Sequence, residues 1–115
     1  MRAYEVAFAG ALCCRFPEFM PLLQEHLDDY DGLLPHVFMG EVTRWLVQRF
    51  HADASDSTLR QVLDFIETAF ERANGEDREL IAASFLENLP RPGQEDDGVR
   101  LLLGPALQGQ LRQIG

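Results

Sequence analysis

The stretch from Leu33 to Phe50, LLPHVFMGEVTRWLVQRF, restricts what this chain can fold into more than any other, and it holds the only Trp. Placed at about 100° per residue, Phe38, Met39, Val42, Trp45, Leu46 and Phe50 fall on one arc, with Glu41, Arg44 and Gln48 opposite. A strand would need alternation in twos, which is absent here. Pro35 suits the first turn of such a helix, because its φ is fixed and it has no N–H to leave unbonded. Arg49 projects from the apolar side. In the last turn, its charge complements the helix dipole and its long stem can reach water.

The flanking segments read the same way. Tyr4, Phe8, Ala11 and Leu12 have helical spacing over residues 3–15, and Phe16-Pro17 ends that helix. A second helix is predicted from Pro17 through Leu27, closed by the turn cluster Asp28-Asp29-Tyr30-Asp31-Gly32. His51 to Ser57 reads as a polar connection, with Ser57 as N-cap of a fourth helix and Asp56 alongside. That helix carries the stripe Leu59, Val62, Leu63, Ile66 and Phe70, and Asn74-Gly75 is expected to stop it. A fifth helix is expected from Glu76 to Leu89, largely enclosed by its neighbours. After an acidic loop from Pro90 to Asp97 come a short turn over Val99 to Leu103 and a last helix behind Gly104-Pro105. No segment has strand periodicity and there is no internal repeat. The expected architecture is all-α: a single-domain bundle, residues 1–115, of five to six mostly antiparallel helices.

Composition narrows function by exclusion. With 46% hydrophobic residues the 115-residue chain is not of the disordered class, and no apolar run approaches the ~20 residues of a membrane span. The N-terminal stretch MRAYEVAFAGALCC is interrupted by Glu5 and offers no cleavage pattern, so a signal peptide is not expected. Cys13 and Cys14 are adjacent, and neighbours on a helix point too far apart to bridge; they read as reduced thiols of a cytoplasmic protein. Asp and Glu number 19 against 10 basic residues, all of them Arg, giving a formal charge of −9. Nucleic acid and anionic membranes are therefore unexpected partners. A basic protein suits such a field, although acidity can also serve solubility alone.

Chemistry-bearing motifs are scarce. His26, His36 and His51 lack i, i+4 spacing, and aligning Gly32 with the invariant EF-hand glycine puts Leu27 and Phe38 at ligand positions. Neither a metal nor a cofactor is expected. No nucleophile motif or phosphate-cradling loop occurs, so an enzyme, built on His36 and Glu41 with Glu87, is only the third reading. Acidic surfaces are the stronger signal. Asp64, Glu67 and Glu71 are spaced i, i+3, i+7 opposite the fourth helix's apolar stripe, with further clusters at Asp28, Asp29 and Asp31 and at Glu95, Asp96 and Asp97. A solvated face is the ordinary account of any one; three together favour a basic partner.

The run HLDDYDGLLPHVFMGEVTRWLVQRF, then LDFIETAF, LIAASFLENL and LLGPALQGQL, resembles a family of short, acidic bacterial proteins that carry a domain of unknown function. Matching positions are Asp31, Leu34-Pro35-His36, Gly40-Glu41, Arg44-Trp45 and Ser84 to Leu89, while Met39 stands where a second aromatic is expected. Such families look like immunity proteins that neutralise polymorphic-toxin domains. The resemblance thus implies a binding role, with a cognate toxin domain as partner and no catalytic residues. Asp31, Glu41, Asp64, Glu67 and Glu71 are the expected contact residues; reversing Glu67 and Glu71 should then weaken binding without lowering the melting temperature. His36, Arg44, Glu87 and Asn88 are expected to form an internal polar network tying the central helix to the fifth. The competing reading is a self-associating regulatory or adaptor module, which makes a homo-oligomer the alternative assembly.

Overall fold

The computed structural model describes residues 3–114, and among them every regular element is helical. Helix α1 spans Ala3–Arg15, and Phe16 leads into a 3₁₀ turn, Pro17–Phe19. Helix α2, Met20–Tyr30, follows directly, so the expected helix from Pro17 begins with one tighter turn. It stops at Asp31, which takes the left-handed conformation (φ 53°) tolerated by Asp, and Gly32 follows at φ 144°.

The central helix α3 runs Pro35–Ala52, two residues past the stretch that announced it, and Phe38, Met39, Val42 and Leu46 are buried as their arc requires. Trp45 sits at the core's edge, its ring meeting Phe19 edge-on with centroids 4.7 Å apart. The Arg49 guanidinium lies over the Trp45 ring and pairs with Asp56 at 3.3 Å, which is how a cation on the apolar side reaches the surface. Helix α4, Ser57–Arg72, is capped by Asp56 and not by Ser57: the Asp56 side chain accepts from Leu59 N–H at 2.9 Å. Both residue types cap well, and the extended turn before Ser57 gives the position to Asp56.

Two boundaries correct the expectation. Helix α4 ends before Asn74-Gly75, at Arg72, with Ala73 extended. Gly75 (φ 37°) instead opens the next helix, α5, Gly75–Ser84. Helix α5 also stops short of Leu89. The Ser84 hydroxyl donates back to Leu80 C=O, Phe85 departs from helical geometry at φ −114°, and the chain continues as a 3₁₀ turn, Leu86–Asn88. Ser and Thr hydroxyls that bond the preceding turn's carbonyl commonly bend helices there. A 3₁₀ segment, Asp97–Leu102, and helix α6, Pro105–Ile114, close the chain.

One apolar cluster runs through all of these elements. α3 lies at its centre, packed by α1, α2, α4 and α5, and α6 rests against α4.

Candidate functional site

Three residues distant in sequence fix the corner where α2 turns into α3. His26, fully buried, places Nδ1 2.5 Å from Glu41 Oε1, while its Nε2 accepts the Leu34 N–H at 3.0 Å. Since Nε2 accepts, the proton sits on Nδ1 and is donated to Glu41. The imidazole is further held between the rings of Tyr30 (4.8 Å) and Phe38 (5.5 Å). Both ring nitrogens are thus used in joining α2, the connecting turn and α3. Glu41, expected at the surface as a contact residue, is turned inward to this pair; it faces His26 and not His36, which is exposed.

Above that buried pair the surface is mixed. Asp28, Asp29 and Asp31 are exposed, and between and beside them stand Tyr30 (49% exposed), Leu34 (44%) and Val37 (39%). Asp31 is therefore where a partner could reach it. Asp28 additionally accepts from Gln24 Nε2 at 3.0 Å on the helix face. The turn between α2 and α3 thus exposes carboxylates and apolar side chains close together in the chain, the two ingredients of an anchor with a polar rim.

The acidic row on α4 does not survive folding as a row. Asp64 and Glu71 are exposed, but Glu67 is only 7% exposed: its carboxylate accepts the N–H groups of Ala106 (2.9 Å) and Leu107 (3.0 Å). Those are orphan donors in the first turn of α6, where the helix dipole also favours a negative charge. The approach is close enough that a Cβ on Gly104 would lie 2.5 Å from Glu67 Cδ, so any larger residue at 104 would push the Glu67 side chain off its capping position. Glu67 is a tertiary cap, unavailable to a partner. The helical wheel of α4 could not show this, because the donors lie 39 and 40 residues away.

The expected network of His36, Arg44, Glu87 and Asn88 is also not formed. All four are exposed, and among the described residues no hydrogen bond or ion pair joins them. Asn88 donates instead to Ser84 C=O at 2.8 Å, capping the broken end of α5, and its amide packs 3.8 Å from the position of a Cβ on Gly40. Arg44 and Asn88 line a shared open cavity of about 530 Å³, while Glu87 faces a different one. The break at Ser84 rotates Glu87 and Asn88 out of the register that a continuous helix would have given them.

Sequence reasoning missed one ionic cluster. His51 Nδ1 lies 3.0 Å from Asp96 and 3.5 Å from Glu95, tying the end of α3 to the acidic loop. Its hydrogen bond to Asp96, then the two nearby carboxylates, hold the imidazole above its ordinary pKa. The three donor atoms lie within 4.8 Å of one another, close enough to share a divalent cation, but at an exposed position that an ion pair accounts for equally well. Only a separation of 45 residues hid the pair. The thiols differ sharply: burial pushes Cys13 up to about 11, which removes it as a nucleophile at neutral pH, and Cys14 is exposed. No single described helix is long and apolar enough to cross a membrane.

Residues 10–114 match the family model described as a domain of unknown function, DUF7674. No curated protein and no solved structure matches the chain.

Proposed function

Because the chain belongs to the DUF7674 family, whose description assigns no activity, we propose its function from the surface it presents: it is an immunity-type binding protein that occludes the basic cleft of a bacterial toxin domain. The observation that carries this reading is the α2–α3 corner, where Asp28, Asp29 and Asp31 and the apolar Tyr30, Leu34 and Val37 are all exposed within ten residues of chain. Carboxylates at the rim would steer a cationic partner in and pair with its Arg or Lys, and the apolar side chains would supply the desolvated anchor. Beneath them, the His26–Glu41 pair holds the corner in shape before binding, so little ordering has to accompany docking. The net charge of −9 extends the same attraction to long range. Asp64 and Glu71 on α4 remain exposed and add to that field, whereas Glu41 and Glu67 do not enter the contact. This reading carries a cytoplasmic location with it.

The test is co-purification and titration calorimetry with the product of the adjacent gene, first identified as a basic toxin domain. Tight, salt-sensitive association that abolishes toxin activity is expected. Reversing Asp28, Asp29 and Asp31 together to Lys should weaken it by at least 100-fold, at about 1 kcal/mol or more per desolvated pair. Unchanged affinity in that triple variant, or a toxin that stays active in the complex, would exclude this corner.

A second reading rests on a different surface. Between α1 and α4 runs an open groove walled by Ala7, Ala11, Phe65 and Ala69, with a cavity of about 520 Å³ at one end and Val6 exposed nearby. Self-association through this groove, whose lining also includes Arg15, Asp64 and Arg72, would depend less steeply on salt than docking at the acidic corner, and sedimentation of the protein over a range of ionic strength separates the two readings.

A further inference from the structure

One end of this acidic molecule is locally basic. Arg91, Arg100 and Arg112 gather around two cavities of about 330 Å³ each, which share Arg100 and Leu111 as a common wall. The trough they form lies between the Leu86–Asn88 turn, the Asp97–Leu102 segment and α6. Among the described residues, the guanidinium groups of Arg91 and Arg112 have no ion-pair or hydrogen-bond partner, while Arg100 is oriented by donating to Pro90 C=O at 3.2 Å. Three carboxylates are committed elsewhere, Asp96 to His51, Asp97 to Gly93 N–H and Glu67 to the start of α6, so that among the described residues Glu87 is the one carboxylate lining the cavity beside Arg91 and Arg100. The trough floor is aliphatic, from Leu86, Leu89, Leu111 and Ile114, and Leu101 stands 79% exposed at its far end.

We infer that this trough is a binding site for a small aliphatic carboxylate, its head held by Arg91 and Arg100 and its chain lying along Leu111 and Ile114 toward Leu101. Three features select that ligand. Unpaired guanidiniums call for an anion, and the planar fork of Arg matches a carboxylate. The aliphatic floor and the volume suit a chain of medium length. The overall charge of −9 disfavours a polyanion, and Glu87, facing the same cavity, offsets part of the guanidinium charge, which leaves a singly charged ligand as the best match. The site is independent of the α2–α3 corner.

The experiment is an NMR titration of the ¹⁵N-labelled full chain with octanoate, with octanamide and inorganic phosphate as controls. Octanoate should move the amides of Leu86 to Leu89 and Leu111 to Ile114 saturably, while octanamide and phosphate should each bind at least tenfold more weakly. R91Q, an exposed substitution that breaks no contact of the fold, should weaken octanoate by about tenfold with an unchanged melting temperature. Shifts that map to the α1–α4 groove, octanamide binding equal to octanoate, or full affinity in R91Q would each overturn the assignment. An acidic peptide with a C-terminal leucine that binds more tightly than octanoate at these amides would overturn the small-molecule ligand in favour of a peptide terminus.

Discussion

Removing the Glu67 carboxylate would leave the N–H groups of Ala106 and Leu107 without acceptors at the start of α6. The Glu67→Ala variant should therefore lose about 2 kcal/mol, read by denaturant titration, since each buried orphan donor costs roughly 1–3 kcal/mol. Gly104→Ala should cost a similar amount in the native protein, because its Cβ meets the Glu67 side chain, and much less in the Glu67→Ala background. That non-additivity is the signature of direct contact, and simple additivity would deny the close approach. A surface carboxylate would show neither effect, so the same pair of substitutions separates a cap from the contact residue that the helical wheel suggested. His51 gives a pH-dependent counterpart. Its folded pKa lies above the ordinary 6.5, so its stabilisation is complete below that value and is lost as pH rises through the folded pKa. The melting temperature of the native protein should exceed that of His51→Gln at pH 5.5, and the gap should close by about pH 8. A gap that widens with pH would contradict the Asp96 pairing.

At the level of elements, helix starts and stops are set by short-range chemistry, but neighbouring candidates compete. Asp56 and Ser57 are both good caps, and Asp56 wins because it alone has the extended backbone from which a side chain reaches Leu59 N–H. Asp56→Ala should lower the melting temperature while Asp56→Ser loses less; an unchanged melting temperature in Asp56→Ala would mean that the cap contributes nothing. The Asp56 carboxyl is held below its ordinary range, first by the Leu59 N–H, so this contribution exists above pH 3.8 and is lost as pH falls through the lowered value. Helix α5 shows the opposite case. Its apolar pattern continues past Ser84, yet the helix does not, because the hydroxyl back-bond and the burial of Phe85 and Leu86 favour a turn. The α2–α3 corner depends on a partner supplied from within α2. In His26→Phe the Leu34 amide should lose its hydrogen-exchange protection while the rest of α3 keeps its own, an outcome that retained protection would exclude.

For the whole molecule, charge and packing make separable demands. The core is one cluster centred on α3, so its stability should be nearly indifferent to surface charge reversal at Asp28 and Asp29, both exposed, while reversal at the left-handed Asp31 adds a small backbone cost. Association with a basic partner should respond strongly, slowing with ionic strength as steered encounters do. The −9 charge is also not spread evenly: three arginines gather at the α6 end, leaving the acidic corner and the basic trough as distinct surfaces on one small body.

The all-helical composition, the central helix and most of the buried stripes were legible in the residues alone, because a 3.6-residue apolar period is a local property that folding preserves. The family resemblance carried by residues 26–111 likewise sits within the matched span. What the sequence could not settle was the use of each polar side chain. Glu67 on α6, Glu41 on His26 and His51 on Asp96 are pairings between residues at least 15 positions apart. A carboxylate on a polar face looks the same whether it meets water or a distant N–H. Only the packing of one helix against another decides between them.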